Sequence, residues 1–95
     1  MVKIVIERRC KPGKEKEFHK LLVQMRGLTL TLHAYLSGEI YRNIDDPSVW
    51  VTIVAWLNLE GWKAWRASPE RQEMMSKMEP LLVEPERTIV LDPVL

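Results

Sequence analysis

Residues 49–57, Val-Trp-Val-Thr-Ile-Val-Ala-Trp-Leu, are mostly β-branched or aromatic, the composition of a β-strand. Side chains of a strand alternate between its two faces. Val49, Val51, Ile53 and Ala55 therefore share one face, and Trp50, Val54 and Trp56 share the other. A strand apolar on both faces belongs in a sheet covered on both sides. A chain of 95 residues buries only about 60–70% of its unfolded surface. It holds four Trp and five Met in a 46% hydrophobic composition, a generous apolar supply for so little volume. One face of the sheet is expected to take cover from the chain's own helices and the other from a second copy of the chain, since an exposed apolar face of that size exceeds what soluble monomers carry.

The rest of the pattern supplies the partners of that strand. Val2 to Arg9 predicts a first strand, with Val2, Ile4 and Ile6 on one face and Val5 on the other. Lys11-Pro12-Gly13 breaks it. Lys14 to Leu30 predicts a helix whose apolar stripe is Phe18, Leu21, Leu22, Met25 and Leu28. Gly27 weakens its last turn, and residues 28–32 also alternate as a strand would, so the helix is expected to fray there. Tyr35 to Ile44 predicts a second strand on which Tyr35 and Tyr41 share a face, their hydroxyls lining either a cavity or an interface. Asp45-Asp46-Pro47-Ser48 makes a loop of about four residues into the third strand, giving an antiparallel hairpin. Asn58 is placed to cap a helix over Leu59–Ala67. Ser68-Pro69-Glu70 restarts it, with Met74, Met75 and Met78 leading to Pro80. Glu86 to Leu91 predicts a last strand. The order β-α-β-β-α-β, in one domain over residues 1–95, is the ferredoxin-like α+β arrangement with a four-stranded antiparallel sheet.

Several function classes have no support. The net charge of +1 offers no global field for nucleic acid or an anionic membrane. Arg8, Arg9, Lys11, Lys14, Lys16 and Lys20 crowd the N-terminal part, but Glu15 and Glu17 interleave with them as on a solvated helix face. The lone Cys10 allows no internal disulfide, and it reads as a small packed hydrophobe. No apolar run approaches the roughly 18 residues of a membrane span and no secretory signal is visible, so a cytoplasmic protein is expected. There is no glycine-rich phosphate loop, metal-ligand spacing or hydrolase elbow, so no cofactor or metal is expected.

Three stretches together resemble the antibiotic biosynthesis monooxygenase family. The first is Lys11-Pro12-Gly13-Lys14-Glu15 with Phe18. The second is Tyr35-Leu36-Ser37-Gly38-Glu39 with Arg42 and Asp45-Asp46-Pro47. The third is Trp56, Leu59-Glu60, Trp62, Trp65 and Ser68-Pro69-Glu70-Arg71, ending in Pro80-Leu81-Leu82. The resemblance implies a dimeric α+β barrel with a ligand pocket between sheet and helices in each subunit. Members of this family include monooxygenases that oxidise phenols and quinols without flavin, haem or metal, haem-degrading proteins, and proteins acting on small signalling molecules. One departure is His33-Ala34, where the family often has Pro-Gly before the tyrosine of strand two, so the turn entering that strand is expected to differ.

The resemblance points to Trp65 as a pocket residue, and an indole offers a flat stacking surface with one N–H donor. Trp56 and Trp62 are further pocket candidates, with core packing as the competing reading for all three indoles, and Met75 completes the apolar set. His33, beside the helix-to-strand loop, is the candidate acid or base; its alternative is an exposed loop histidine, and His19 reads as solvated. Tyr35 is a candidate wall. Arg8 is placed either to hold a phenolate or enolate or to make a salt bridge at the barrel rim. These readings favour a cofactor-independent monooxygenase for small aromatic quinol- or phenol-type substrates, with a non-catalytic ligand-binding barrel as the alternative. Haem degradation ranks third. That branch uses a histidine ten positions after the pocket Trp and an asparagine on the first strand, whereas this chain has Met75 in the one place and no asparagine near Ile6 in the other.

Overall fold

The structure, a computed structural model, describes residues 1–95. Strand β1 (Val2–Arg9) leads into helix α1 (Glu15–Thr29), followed by β2 (Tyr35–Arg42), β3 (Val49–Trp56), α2 (Leu59–Ala67), α3 (Pro69–Met78), a single 3-10 turn at Glu79–Leu81, and β4 (Arg87–Leu91). The sheet order is β2-β3-β1-β4, and every neighbouring pair is antiparallel. This is the ferredoxin-like α+β fold expected from the order of elements.

The local chemistry accounts for the boundaries. Gly13 adopts φ +80°, a left-handed conformation cheap only for glycine, and turns the chain from β1 into α1. Asn58 caps α2, its Oδ1 accepting from the Gly61 N–H at 2.8 Å. Ser68 ends α2 and caps α3: its Oγ accepts from the Arg71 N–H at 3.2 Å, and Pro69 occupies the first turn of α3. The helix α1 continues through Gly27 to Thr29 without early fraying, because Phe18, Leu21, Leu22, Met25 and Thr29 bury one face of it.

Two expectations are corrected. The β2–β3 loop spans residues 43–48 rather than four residues. Asn43, which read as strand, instead turns the chain: its Oδ1 accepts from the Asp45 and Asp46 amides at 2.8 and 3.2 Å. Tyr35 and Tyr41 do not share a face. A register shift between Tyr35 and Ser37 places Tyr35 opposite Trp56 while Tyr41 lies opposite Val51. One extra residue in a strand reverses the face of all that follows.

One side of the sheet carries Ile4, Ile6 and Arg8 of β1 beside Val54, Thr52 and Trp50 of β3, and the helices cover this side. Phe18 of α1 meets Trp50 edge-on at 5.2 Å, and Trp56 contacts Trp62 of α2 at 6.2 Å. Full burial of each such side chain contributes about 1.5–3 kcal/mol. The other side presents half-buried Val5, Val51 and Ile53, with Tyr41, Ile89 and Leu91 exposed. No helix covers it, and no helix of the fold is long and apolar enough to cross a membrane.

Beyond α3 the chain is fastened to the end of β1. The Lys11 N–H donates to the Leu81 carbonyl at 2.8 Å, the Val83 N–H to the Arg9 carbonyl at 2.9 Å, and Cys10 bridges to Leu82. Cys10 is 1% exposed, and burial pushes its thiol above the ordinary value. A thiolate is the reactive form. Native protein is therefore expected to resist a thiol-specific reagent at pH 8, with full labelling only in denaturant, read as absorbance of the released thiolate; rapid stoichiometric labelling of native protein would contradict this packing.

Candidate functional site

The most built feature of the fold is a mainly apolar, partly open cavity of about 50 Å³ between the sheet and the helices. The sheet contributes Ile6, Gly38, Ile40, Thr52, Val54 and Trp56, α1 contributes Leu22 and Met25, and α2 contributes Trp62 and Trp65. Tyr35 closes one side, its ring edge-on to Trp56 at 5.6 Å. Gly38 makes room for it, since a Cβ there would collide with the Tyr35 hydroxyl. The volume holds a few waters. Seating an aromatic ring therefore requires a side chain to move, and Tyr35 is a half-buried wall residue on edge strand β2.

A buried charge cluster forms the polar part of the wall. Arg8 and Arg71 both line the cavity and are 2% and 5% exposed. Glu86 joins them: Arg8 Nε donates to its Oε2 at 2.8 Å, and Arg71 Nη2 donates to its Oε1 at 2.9 Å. Arg8 Nη1 donates further to Thr52 Oγ1 at 3.2 Å. The β1–β4 ladder explains the meeting. Glu7 pairs with Arg87, so one further step sets Arg8 beside Glu86. Burial presses the Arg8 guanidinium below its ordinary value, with Glu86 pulling the other way; arginine nonetheless stays charged in proteins. Burial alone would raise the Glu86 carboxyl, but the charges and hydrogen bonds of the two arginines outweigh it and hold it below the ordinary carboxylate value. Arg8 Nη2, Arg71 Nε and Trp56 Nε1 are buried without a hydrogen-bond partner. The Arg71 guanidinium also rests on the Trp62 ring, 5.5 Å from its centroid.

The predicted residues are distributed unevenly around this cavity. Trp56, Trp62, Trp65, Tyr35 and Arg8 line it. Trp56 and Trp62, at 1% and 2% exposure, are both wall and core. Arg8 is not at a rim: its ion pair is interior. Met75 is buried in the core on α3 but does not line the cavity. His33 is exposed and opens instead onto a separate surface groove of about 390 Å³, shared with Trp65, Trp56 and Glu70, so the two indoles stand between it and the cavity. Ala34, next to it, needs no positive φ, and its carbonyl accepts from the Leu57 N–H at 2.8 Å; the turn thus accommodates His33-Ala34 without strain. Glu86 and the pocket role of Arg71 were missed, because a carboxylate 78 residues from Arg8 carries no local signal. No three His, Cys, Asp or Glu side chains converge as metal ligands.

Comparison with known proteins places the chain. The family model described as antibiotic biosynthesis monooxygenase matches residues 1–77. The chain belongs to the antibiotic biosynthesis monooxygenase family. Among curated proteins none matches it in sequence. Solved structures share the fold at low identity. A conserved protein from Methanosarcina mazei is 17% identical with a TM-score of 0.88, over 94% of this chain and 88% of that one. Rv0793 from Mycobacterium tuberculosis is 20% identical with a TM-score of 0.89, over 98% and 94%. A mutant of SnoaB, described as a cofactor-independent oxygenase from Streptomyces nogalater, is 14% identical with a TM-score of 0.89, over 99% and 93%. Its match reaches past residue 77 and takes in β4, where the ladder beside Glu86 begins.

The charge cluster gives a stability test. Glu86→Gln leaves two buried guanidiniums without a carboxylate and is expected to cost about 3–5 kcal/mol at pH 7, read from urea unfolding. Because the folded carboxyl lies below its unfolded value, its contribution is complete above the ordinary carboxylate range and is lost as pH falls through the depressed value. The gap between wild type and Glu86→Gln should therefore close on acidification below about pH 4. A gap that stays constant down to pH 2 would contradict the assignment.

Proposed function

We propose that this protein is a cofactor-independent monooxygenase that oxidises small aromatic quinol- or phenol-type substrates with O2 in the cavity between sheet and helices. The observation that carries the reading is the apolar slot walled by Trp56, Trp62 and Trp65 in a chain of this family. Indole faces stack on a flat ring and exclude water from it. An ionised phenol or enol can pass electrons to O2 directly. A C–O bond forms at a carbon that bears two hydrogens in the keto form, and the resulting hydroperoxide loses water to leave a carbonyl. One oxygen atom ends in the product and the other in water; the substrate supplies all four electrons, so no external reductant enters.

The protein's part is to bind the ring, to stabilise the anion and to keep water out. Trp65, at 6% exposure, separates cavity from groove, and its loss would join the two. Expected results are a fall of at least tenfold in O2 uptake above the autoxidation blank for Trp65→Ala, and a rate within twofold of wild type for His33→Ala, with EDTA-treated protein and a panel of quinols and fused-ring phenols. An unchanged rate in Trp65→Ala would remove the cavity from the reaction. The alternative, ligand binding without chemistry, draws support from the absence of His33 from the cavity; it gains if no substrate exceeds the blank.

The active form is proposed to be a homodimer joined through the uncovered sheet face, where Val5, Val51, Ile53, Tyr41 and Ile89 gather. Light scattering on a sizing column should give twice the chain mass for wild type and the single-chain mass for Ile53→Lys, a charge placed on the face away from the cavity. A monomeric wild type at micromolar concentration would overturn the dimer.

A further inference from the structure

The buried cluster beside the cavity is short of one negative charge. Two guanidiniums, Arg8 and Arg71, share the single carboxylate of Glu86, which leaves one positive charge in excess. Both arginines lie in the cavity wall. Arg71 rests on the Trp62 ring, although its Nε also lacks a hydrogen-bond partner. Arg8 is left with the larger deficit: its Nε and Nη1 are used, while Nη2, a terminal nitrogen with two N–H groups, is buried with no partner. Buried guanidinium N–H groups left unmade are costly, and an unpaired interior charge is costlier still. Of the other charged residues nearby, Arg26 is exposed, and Glu39, opposite Ile53, lies on the far sheet face, where its carboxylate accepts from the Tyr41 hydroxyl, so neither cancels the excess inside.

We infer that Arg8 Nη2 is the docking point for an anionic oxygen of the ligand, and that the cavity selects arenes carrying one negative charge, a carboxylate or an ionised hydroxyl, over neutral arenes of the same shape. The inference rests on the cavity being the ligand site, as proposed above, and it names the ligand's charge. With such an anion seated, the cluster holds two positive and two negative charges, and Nη2 gains an acceptor in the geometry that arginine offers to carboxylates. Thr52, holding Nη1, keeps the guanidinium plane fixed against the sheet.

The test compares two unreactive probes of equal shape, 2-naphthoate and 2-naphthamide, titrated into the full-length protein and followed by quenching of tryptophan fluorescence, with calorimetry as a second readout. The wild type should bind the carboxylate at least tenfold more tightly than the amide, and the preference should weaken with added salt less than a surface pair would. Arg8→Met removes the excess charge and should bring the two affinities within threefold. Glu86→Gln raises the excess and should widen the preference; far-UV circular dichroism establishes that each variant is folded, and the wild-type comparison stands without either. Equal affinities in wild type, a preference that survives Arg8→Met, or no binding of either probe at millimolar concentration would each overturn the inference. Oxygen uptake is scored separately. A carboxylate preference in a protein that consumes no O2 keeps the anion site and removes the oxygenase reading, whereas O2 consumption with no preference does the reverse.

Discussion

The guanidinium of Arg8 sits 2% exposed on the helix-facing side of the central strand, where a charge survives only if it is paired and hydrogen-bonded. Much of the surrounding structure follows from meeting that need. Glu86 can reach it only if the chain after α3 turns back along β1 and enters β4 in the observed register. The amides of Lys11 and Val83 enforce that path through the Leu81 and Arg9 carbonyls. Arg71 can reach the same carboxylate only because Ser68 and Pro69 break the second helical segment and redirect α3 over the sheet. One carboxylate therefore links the central strand, the edge strand and the last helix.

The same cluster sets the character of the cavity. Elsewhere its wall is indole, aliphatic and thioether surface, which offers a flat ring area without direction. Direction can come only from the unpartnered donors, Arg8 Nη2 and Trp56 Nε1, both buried on residues of the wall. Fixed positive charge would favour ionisation of a bound phenol or enol against the opposing effect of burial, and under the proposed function that anion is the form that meets O2. Binding and activation would then rest on one arrangement, with no separate base. The exposed position of His33 is consistent with that division.

The two faces of β3 serve different ends. Trp50, Thr52, Val54 and Trp56 meet the helices and the cavity, while Val51 and Ile53 face away from both. A substitution on the outer row can thus change association while leaving the cavity wall in place. The bulge at Tyr35–Ser37 adjusts β2 to the same division by turning Tyr35 inward over Gly38 and Tyr41 outward toward Val51.

The sequence by itself determined the elements and the fold class. Alternation in residues 49–56, the apolar stripe of α1, and the caps at Asn58 and Ser68 are local signals, and local physics decides them. It also marked Trp65, Trp56, Trp62, Tyr35 and Arg8, all of which line the cavity. It did not place Met75 in the core away from that cavity, put His33 in a separate groove, or separate Tyr35 from Tyr41, because a bulge shifts register without leaving a hydrophobic trace. Nor could it join Arg8 to Glu86. Their meeting depends on a strand register between residues 78 apart, fixed by backbone hydrogen bonds that carry no side-chain signature. What only the tertiary structure decided is where the one unbalanced buried charge lies, because pairing of charges is a matter of distance in space and burial, and neither is written in chain order.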